Sequence, residues 1–248
     1  PLDPSLSLPE AGRAVRSAYG TIDQHGRPAI ATSAVFLPHG TPPPGGWPVV
    51  AWAHGTTGLG DDCAPSTHPR SDRDAEYLGH WLRQGYAVVA ADYVGLGTPG
   101  LLSYLNGHVA ARGIIDSVRA ARADGLPLSP TWALVGQSQG AGAALVTATR
   151  ATELGAPSGL DFRGVVATGA PANLEHLFQW GGPGFPPVSL PTGLNLYAFY
   201  ILAGLRDQHP EFELDQFLTP RGREMVDSAE QLCYEDMRAA VGDFQISQ

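Results

Sequence analysis

Lysine is absent from this 248-residue chain: all 15 basic side chains are arginine, scattered along the sequence against 24 acidic ones. With a net charge of −9, a pI near 5.2 and no basic stripe, neither nucleic acid nor an anionic membrane surface is expected as a partner. A neutral or apolar small-molecule substrate fits better. Cysteine is nearly absent too. Cys63 and Cys233 are too few for a disulfide framework, and their spacing alone leaves two readings, a pair of buried thiols or one bridge. No His, Cys and Asp grouping has metal-ligand spacing, so neither a metal nor another cofactor is implied. No apolar run reaches the roughly 20 residues that cross a bilayer. The opening Pro1-Leu2-Asp3-Pro4-Ser5 lacks the charged start and apolar core of a signal peptide, so it reads as the processed start of a soluble protein.

What is present is an alternation of apolar runs and helical patterns. Residues Pro1 to Tyr19 are Pro-rich and read as a surface arm. Ala29–Leu37 alternates like a strand, and after the break Pro42-Pro43-Pro44-Gly45-Gly46 comes the apolar run Pro48–Trp52, the two read together as a hairpin. Ser71 or Asp72 can cap a helix to about Gln84, with Tyr77, Leu78, Trp81 and Leu82 on one stripe. The buried-strand run Ala87–Ala91 follows, then a helix from about Asn106 to Ala123 that turns Val109, Ile114, Ile115 and Val118 inward. Trp132–Val135, a helix through Ala141–Ala148 and Phe162–Thr168 complete a β-α-β order that implies parallel strands. Beyond Thr168 no strand is expected: helices near 194–205, 220–226 and 229–241 are separated by Pro/Gly loops such as Gly181–Pro187. The size suits one α/β core, residues 1–172 with its N-terminal arm, carrying a helical lid over 173–248.

Chemistry concentrates at Gly136-Gln137-Ser138-Gln139-Gly140. A strand, a glycine, a serine and a second glycine opening a helix make a sharp turn that only small flanking residues tolerate, and the turn lifts the serine hydroxyl above the sheet. Attack on a carbonyl also needs donors for the developing oxyanion. His54-Gly55-Thr56-Thr57-Gly58 follows the Val49–Trp52 run, where Gly55 lets the backbone approach a ligand. The Thr56 N–H is then one donor and the Gln139 N–H the other, and His54 shapes the loop rather than acting as a base. Asp92 and Tyr93 follow a buried strand at its carboxyl end and are expected at the rim of the site. Gly95-Leu96-Gly97 lacks the third glycine and helix start of a nucleotide fingerprint. The acid and base are harder to place, since only His176 and His209 follow Ser138. Tyr197–Gly204 with Asp207 imitates a strand and acid loop, yet Asp207 and His209 read better as the exposed end of a helix than as partners of Ser138. Phe178, Trp180, Phe185, Leu190, Leu194, Tyr197 and Phe199 offer either an apolar acyl-binding surface or the packing of a lid on its core.

Four segments, taken in order, carry a resemblance: His54–Gly58, Asp62-Cys63-Ala64-Pro65-Ser66, Gly85–Tyr93 and Gly136–Gly140. Together they resemble the secretory lipase family of α/β-hydrolases, over about Ala29 to Gln248. The resemblance implies a mostly parallel central sheet, a helical lid inserted after the strand ending near Thr168, and hydrolysis of carboxylic esters, often lipid esters, outside the cell. It also implies a Cys63–Cys233 bridge between core and lid. In that family the catalytic Asp and His lie beyond the lid cysteine. This sequence stops at Gln248, so the chain is expected to be an N-terminal portion, its last strands, acid and base supplied by a second polypeptide from the same precursor. An acyltransferase, or a catalytically silent ligand-binding protein of the same fold, are the alternatives.

Overall fold

The structure, a computed structural model, describes residues 1–174, 176 and 191–242. Its six strands are β1 (Ala11–Ile22), β2 (Pro28–Pro38), β3 (Trp47–Ala53), β4 (Ala87–Ala91), β5 (Leu128–Gln137) and β6 (Asp161–Thr168). They form one sheet in the order β1-β2-β4-β3-β5-β6. β4-β3-β5-β6 are parallel, while β1 and β2 run antiparallel at one side. The composition explains the division. β4 reads Ala-Val-Val-Ala-Ala and is buried at every position, as a central strand covered on both faces must be. β1 mixes Ala, Gly, Arg and Ser and is mostly half-exposed, as suits an edge strand.

Two expectations about the N-terminal region need correction. Residues 11–22 are not a loose arm: they pair with β2 from Ala11↔Pro38 to Ile22↔Pro28, and Leu2 and Leu8 are buried. The β1 sequence shows little alternation, yet folding buries Tyr19 and Thr21 and packs Ala14 and Val15 against the core. The hairpin is therefore β1–β2, and β2 does not pair with β3. The proline-rich break carries the chain past β4's place, leaving β3 inside the sheet between β4 and β5.

Helices cover both faces. α1 (Asp72–Arg83) starts at Ser71, whose Oγ accepts from the Asp74 N–H at 3.3 Å, and buries Leu78 and Leu82 against Val50, Trp52, Val88 and Ala90. α2 (Gly107–Ala123), capped by Asn106, and α3 (Gln139–Gly155) pack on the other face. There Ile114, Ile115 and Val118 are buried, each worth about 1.5–3 kcal/mol by the area they remove from water. α4 (Thr192–Gln208), α5 (Pro220–Ala229) and α6 (Tyr234–Val241) form a cap over the same region. Its buried residues Leu196, Phe199, Tyr200, Met225, Val226 and Met237 join the cluster that α2 and α3 make with the sheet. Phe199 is thus core packing, not ligand surface. The Gly181–Pro187 loop and Phe178, Trp180, Phe185 and Leu190 lie outside the described residues. Among the described residues no strand follows Thr168, and no helix is long and apolar enough to cross a membrane.

The cap is fastened to the loop after β3. Cys63 and Cys233 form a disulfide, the Tyr234 N–H donates to the Thr57 carbonyl at 2.9 Å, and Gly58 bridges Cys233. Gly58 sits at φ +127°, and a Cβ there would stand 2.6 Å from Cys233 Cα and 2.7 Å from Cys63 Sγ, so no larger residue fits. Because the bridge joins residues 170 apart, it strongly restricts the unfolded chain. Cys63→Ser/Cys233→Ser is expected to lose about 2–5 kcal/mol, lowering Tm by on the order of 10 °C in calorimetry. An unchanged Tm would show that the clip contributes nothing.

Candidate active site

Ser138 connects β5 to α3 at φ +54° and ψ −119°, a conformation that side-chain-bearing residues rarely adopt and that costs about 1–3 kcal/mol. It is held there from both sides. The Ser138 N–H donates to the Thr168 carbonyl on β6 at 2.9 Å, and its own carbonyl accepts from the Ala141 N–H at 2.9 Å. A Cβ on Gly136 would overlap the Gly140 carbonyl. One on Gly140 would overlap the Ala53 carbonyl and stand 2.6 Å from the His54 carbonyl. The turn needs both glycines because the ends of β3, β5 and α3 meet at this point.

Gln139 is the first residue of α3, so its N–H has no acceptor within the helix and lies at the positive end of the helix dipole. Thr56 follows β3, and among the described residues its N–H has no acceptor. The loop holding it is braced: Thr56 Oγ1 lies 2.6 Å from the Tyr104 hydroxyl, and a Cβ on Gly55 would run into Gln137 Oε1. His54 is 2% exposed, with Nδ1 2.6 Å from the Gly55 carbonyl and its ring stacked on Tyr93 at 4.4 Å. Burial holds its pKa below the ordinary imidazole value, so the ring is neutral near pH 7 and braces the loop.

Asp92 and Tyr93 are not at a rim. Asp92 is fully buried and accepts from Thr32 Oγ1 at 2.6 Å and from the Ser66 N–H at 2.9 Å, tying β4 to β2 and to the loop after Cys63. Arg16 adds to this tie through Ser66 Oγ at 2.7 Å. Tyr93, 1% exposed at φ +70°, donates its hydroxyl to the His54 carbonyl at 3.0 Å. Position at a strand's carboxyl end fixes height in the fold but not the direction of the side chain, which is where the expectation fails. Both residues brace the loops after β3 and Cys63 from below.

Ser138, His54, Gly55, Thr56 and Tyr197 line one cavity of about 940 Å³. Gln139 opens instead on a smaller one of about 220 Å³ between α2 and α3. Asp207 and His209 do not join Ser138. Asp207 accepts from Gln24 Nε2 and lies 3.6 Å from His25 Nε2 on the β1–β2 turn, while His209 pairs with Glu211 at 2.9 Å. Among the described residues nothing hydrogen-bonds Ser138 Oγ. Sequence reasoning also missed Tyr104, Tyr234 and Arg70, which stand outside any motif and reach the site only through folding.

The profile of the family described as secretory lipase matches residues 71–246. No curated protein sequence matches the chain. Among solved structures, the rice cell wall degrading esterase LipA from Xanthomonas oryzae superposes with a TM-score of 0.73 at 25% identity, over 93% of this chain and 62% of that one. A Legionella pneumophila protein gives 0.75 at 21%, with the same coverage. Candida antarctica lipase A gives 0.70 at 20% identity, over 94% of this chain and 54% of its own length. The chain thus spans less than two thirds of each of these structures. With the sheet order, the serine turn between β5 and α3 and the helices on both faces, these likenesses give the α/β-hydrolase fold, and the chain belongs to the secretory lipase family.

Proposed function

We propose that this chain carries the nucleophile and oxyanion donors of a carboxylic ester hydrolase acting outside the cell. Ser138 Oγ attacks the ester carbonyl, its proton passing to an imidazole. The Thr56 and Gln139 N–H groups take up the negative charge of the tetrahedral intermediate. The alcohol leaves, and water then releases the acid from the acyl-enzyme. The observation that carries this reading is the strained Ser138 at the mouth of α3, held between two glycines that cannot be enlarged. Backbone held in a rare conformation by its surroundings is found where a reacting group must be presented.

The imidazole and its carboxylate come from residues outside this sequence, on a continuation of the chain or on a second polypeptide from the same precursor. Supporting this, among the described residues Ser138 Oγ has no partner and β6 is the last strand of the sheet, with Val166 54% exposed. The substrate is a neutral ester, a lipid ester being the family's usual class, since the chain as a whole carries a net charge of −9, and Tyr197 in the cavity wall offers apolar surface to its acyl group. The disulfide and the family's secretory character support an extracellular setting.

The test is hydrolysis of p-nitrophenyl butyrate by the whole secreted protein, with a fluorophosphonate adduct mapped by proteolysis. The adduct is expected on Ser138, and Ser138→Ala should lower kcat by about 10³-fold or more. An unlabelled second polypeptide in the intact-mass spectrum would identify the source of the imidazole as a separate chain. Label on another residue, or an active S138A protein, would overturn the reading. Gly140→Ala, which drives a methyl into the Ala53 and His54 carbonyls, is expected to cost about 1–3 kcal/mol and most of the turnover. Wild-type Tm and activity in G140A would contradict the packing at the turn.

A further inference from the structure

Arg70, just ahead of α1, lines the cavity that Ser138 also lines. Its guanidinium lies 5.3 Å above the centre of the Phe36 ring, and its Nε and Nη2 groups are closed off from solvent with no hydrogen-bond acceptor among the described residues. The carboxylates whose charges act on it, Asp92 and Asp74, make their hydrogen bonds elsewhere. Asp92 takes the Thr32 hydroxyl and the Ser66 N–H, and Asp74 pairs with Arg73 at 2.8 Å. Burial lowers the Arg70 pKa from its ordinary value, although a guanidinium stays protonated near pH 7. An enclosed charged donor without an acceptor is destabilising. A folded protein tolerates that where an anion completes the site.

We propose that Arg70 is a carboxylate-binding site in the inner wall of the Ser138 cavity. A planar fork of N–H donors matches the two oxygens of a carboxylate. Asp62, Asp74, Glu235 and Asp236 also line this cavity, and Arg70 and Arg73 are the guanidinium groups set against them. The Phe36 ring and the packing around it fix the guanidinium, so little entropy is lost when the anion arrives. The carboxylate has two possible sources, a free small-molecule acid or an acidic side chain of the same protein. The site stands whether or not Ser138 is the nucleophile.

Succinate and its neutral analogue succinamide, titrated calorimetrically into the whole protein at low chloride, test it. Succinate should bind and succinamide should not. Arg70→Met should weaken succinate at least about tenfold, and Ser138→Ala should leave its affinity within about twofold. Should R70M not fold, Arg70→Lys keeps the charge but loses the fork, and a severalfold weakening is expected. If succinate does not bind the wild-type protein, an anion-free crystal structure of that protein should show one of its own carboxylates within hydrogen-bond distance of Arg70, identifying the second source. Neither succinate binding nor such a carboxylate, or equal succinate affinity in R70M or R70K and wild type, would overturn the proposal.

Discussion

Everything at the site depends on the close approach of β3, β5 and α3 at Gly136 and Gly140. That contact forces Ser138 to φ +54°, and the Thr168 and Ala141 hydrogen bonds hold it there. The same approach brings the start of α3, with its free Gln139 N–H, beside the loop that follows β3. One steric constraint therefore sets both the backbone conformation of Ser138 and the placing of the Gln139 N–H beside the loop after β3. Strain of about 1–3 kcal/mol is small beside the burial of Val50, Ala51, Leu134 and Val135 in the strands that lead into it.

A second layer of constraint keeps the loop after β3 in shape. His54, neutral and buried, stacks on Tyr93, whose hydroxyl returns to the His54 carbonyl; Asp92 beneath them ties β4 to β2 and to the residues after Cys63. From above, the disulfide and the Tyr234 to Thr57 hydrogen bond clip the cap onto the same loop. The loop that carries Thr56 is thus fixed from both sides. In the proposed reaction, such fixed dipoles need no reorganisation when charge develops.

Much of this was legible in the sequence, and what was not has a physical pattern. The turn at Ser138 was readable because glycines at two fixed spacings have one steric explanation, and α1 and α2 because Ser71 and Asn106 are strong caps before periodic apolar residues. β1 was not readable: Val15, Tyr19 and Ile22 are spread among small and polar residues without a clear alternation, and pairing with β2 is a property of the backbone. Asp92 and Tyr93 were placed at the right height but on the wrong side, since a strand end does not reveal which way its side chains turn. Arg70 has no local signal at all. Its isolation arises only when β2, α1 and the loop after β3 come together.

The most direct test of the central claim is a crystal structure of the whole protein after reaction with a phosphonate inhibitor. Covalent attachment to Ser138 Oγ should place the phosphoryl oxygen about 2.7–3.1 Å from both the Thr56 and the Gln139 backbone nitrogens. A phosphoryl oxygen turned to solvent, or attachment to another side chain, would contradict the account of how the turn and the loop act together.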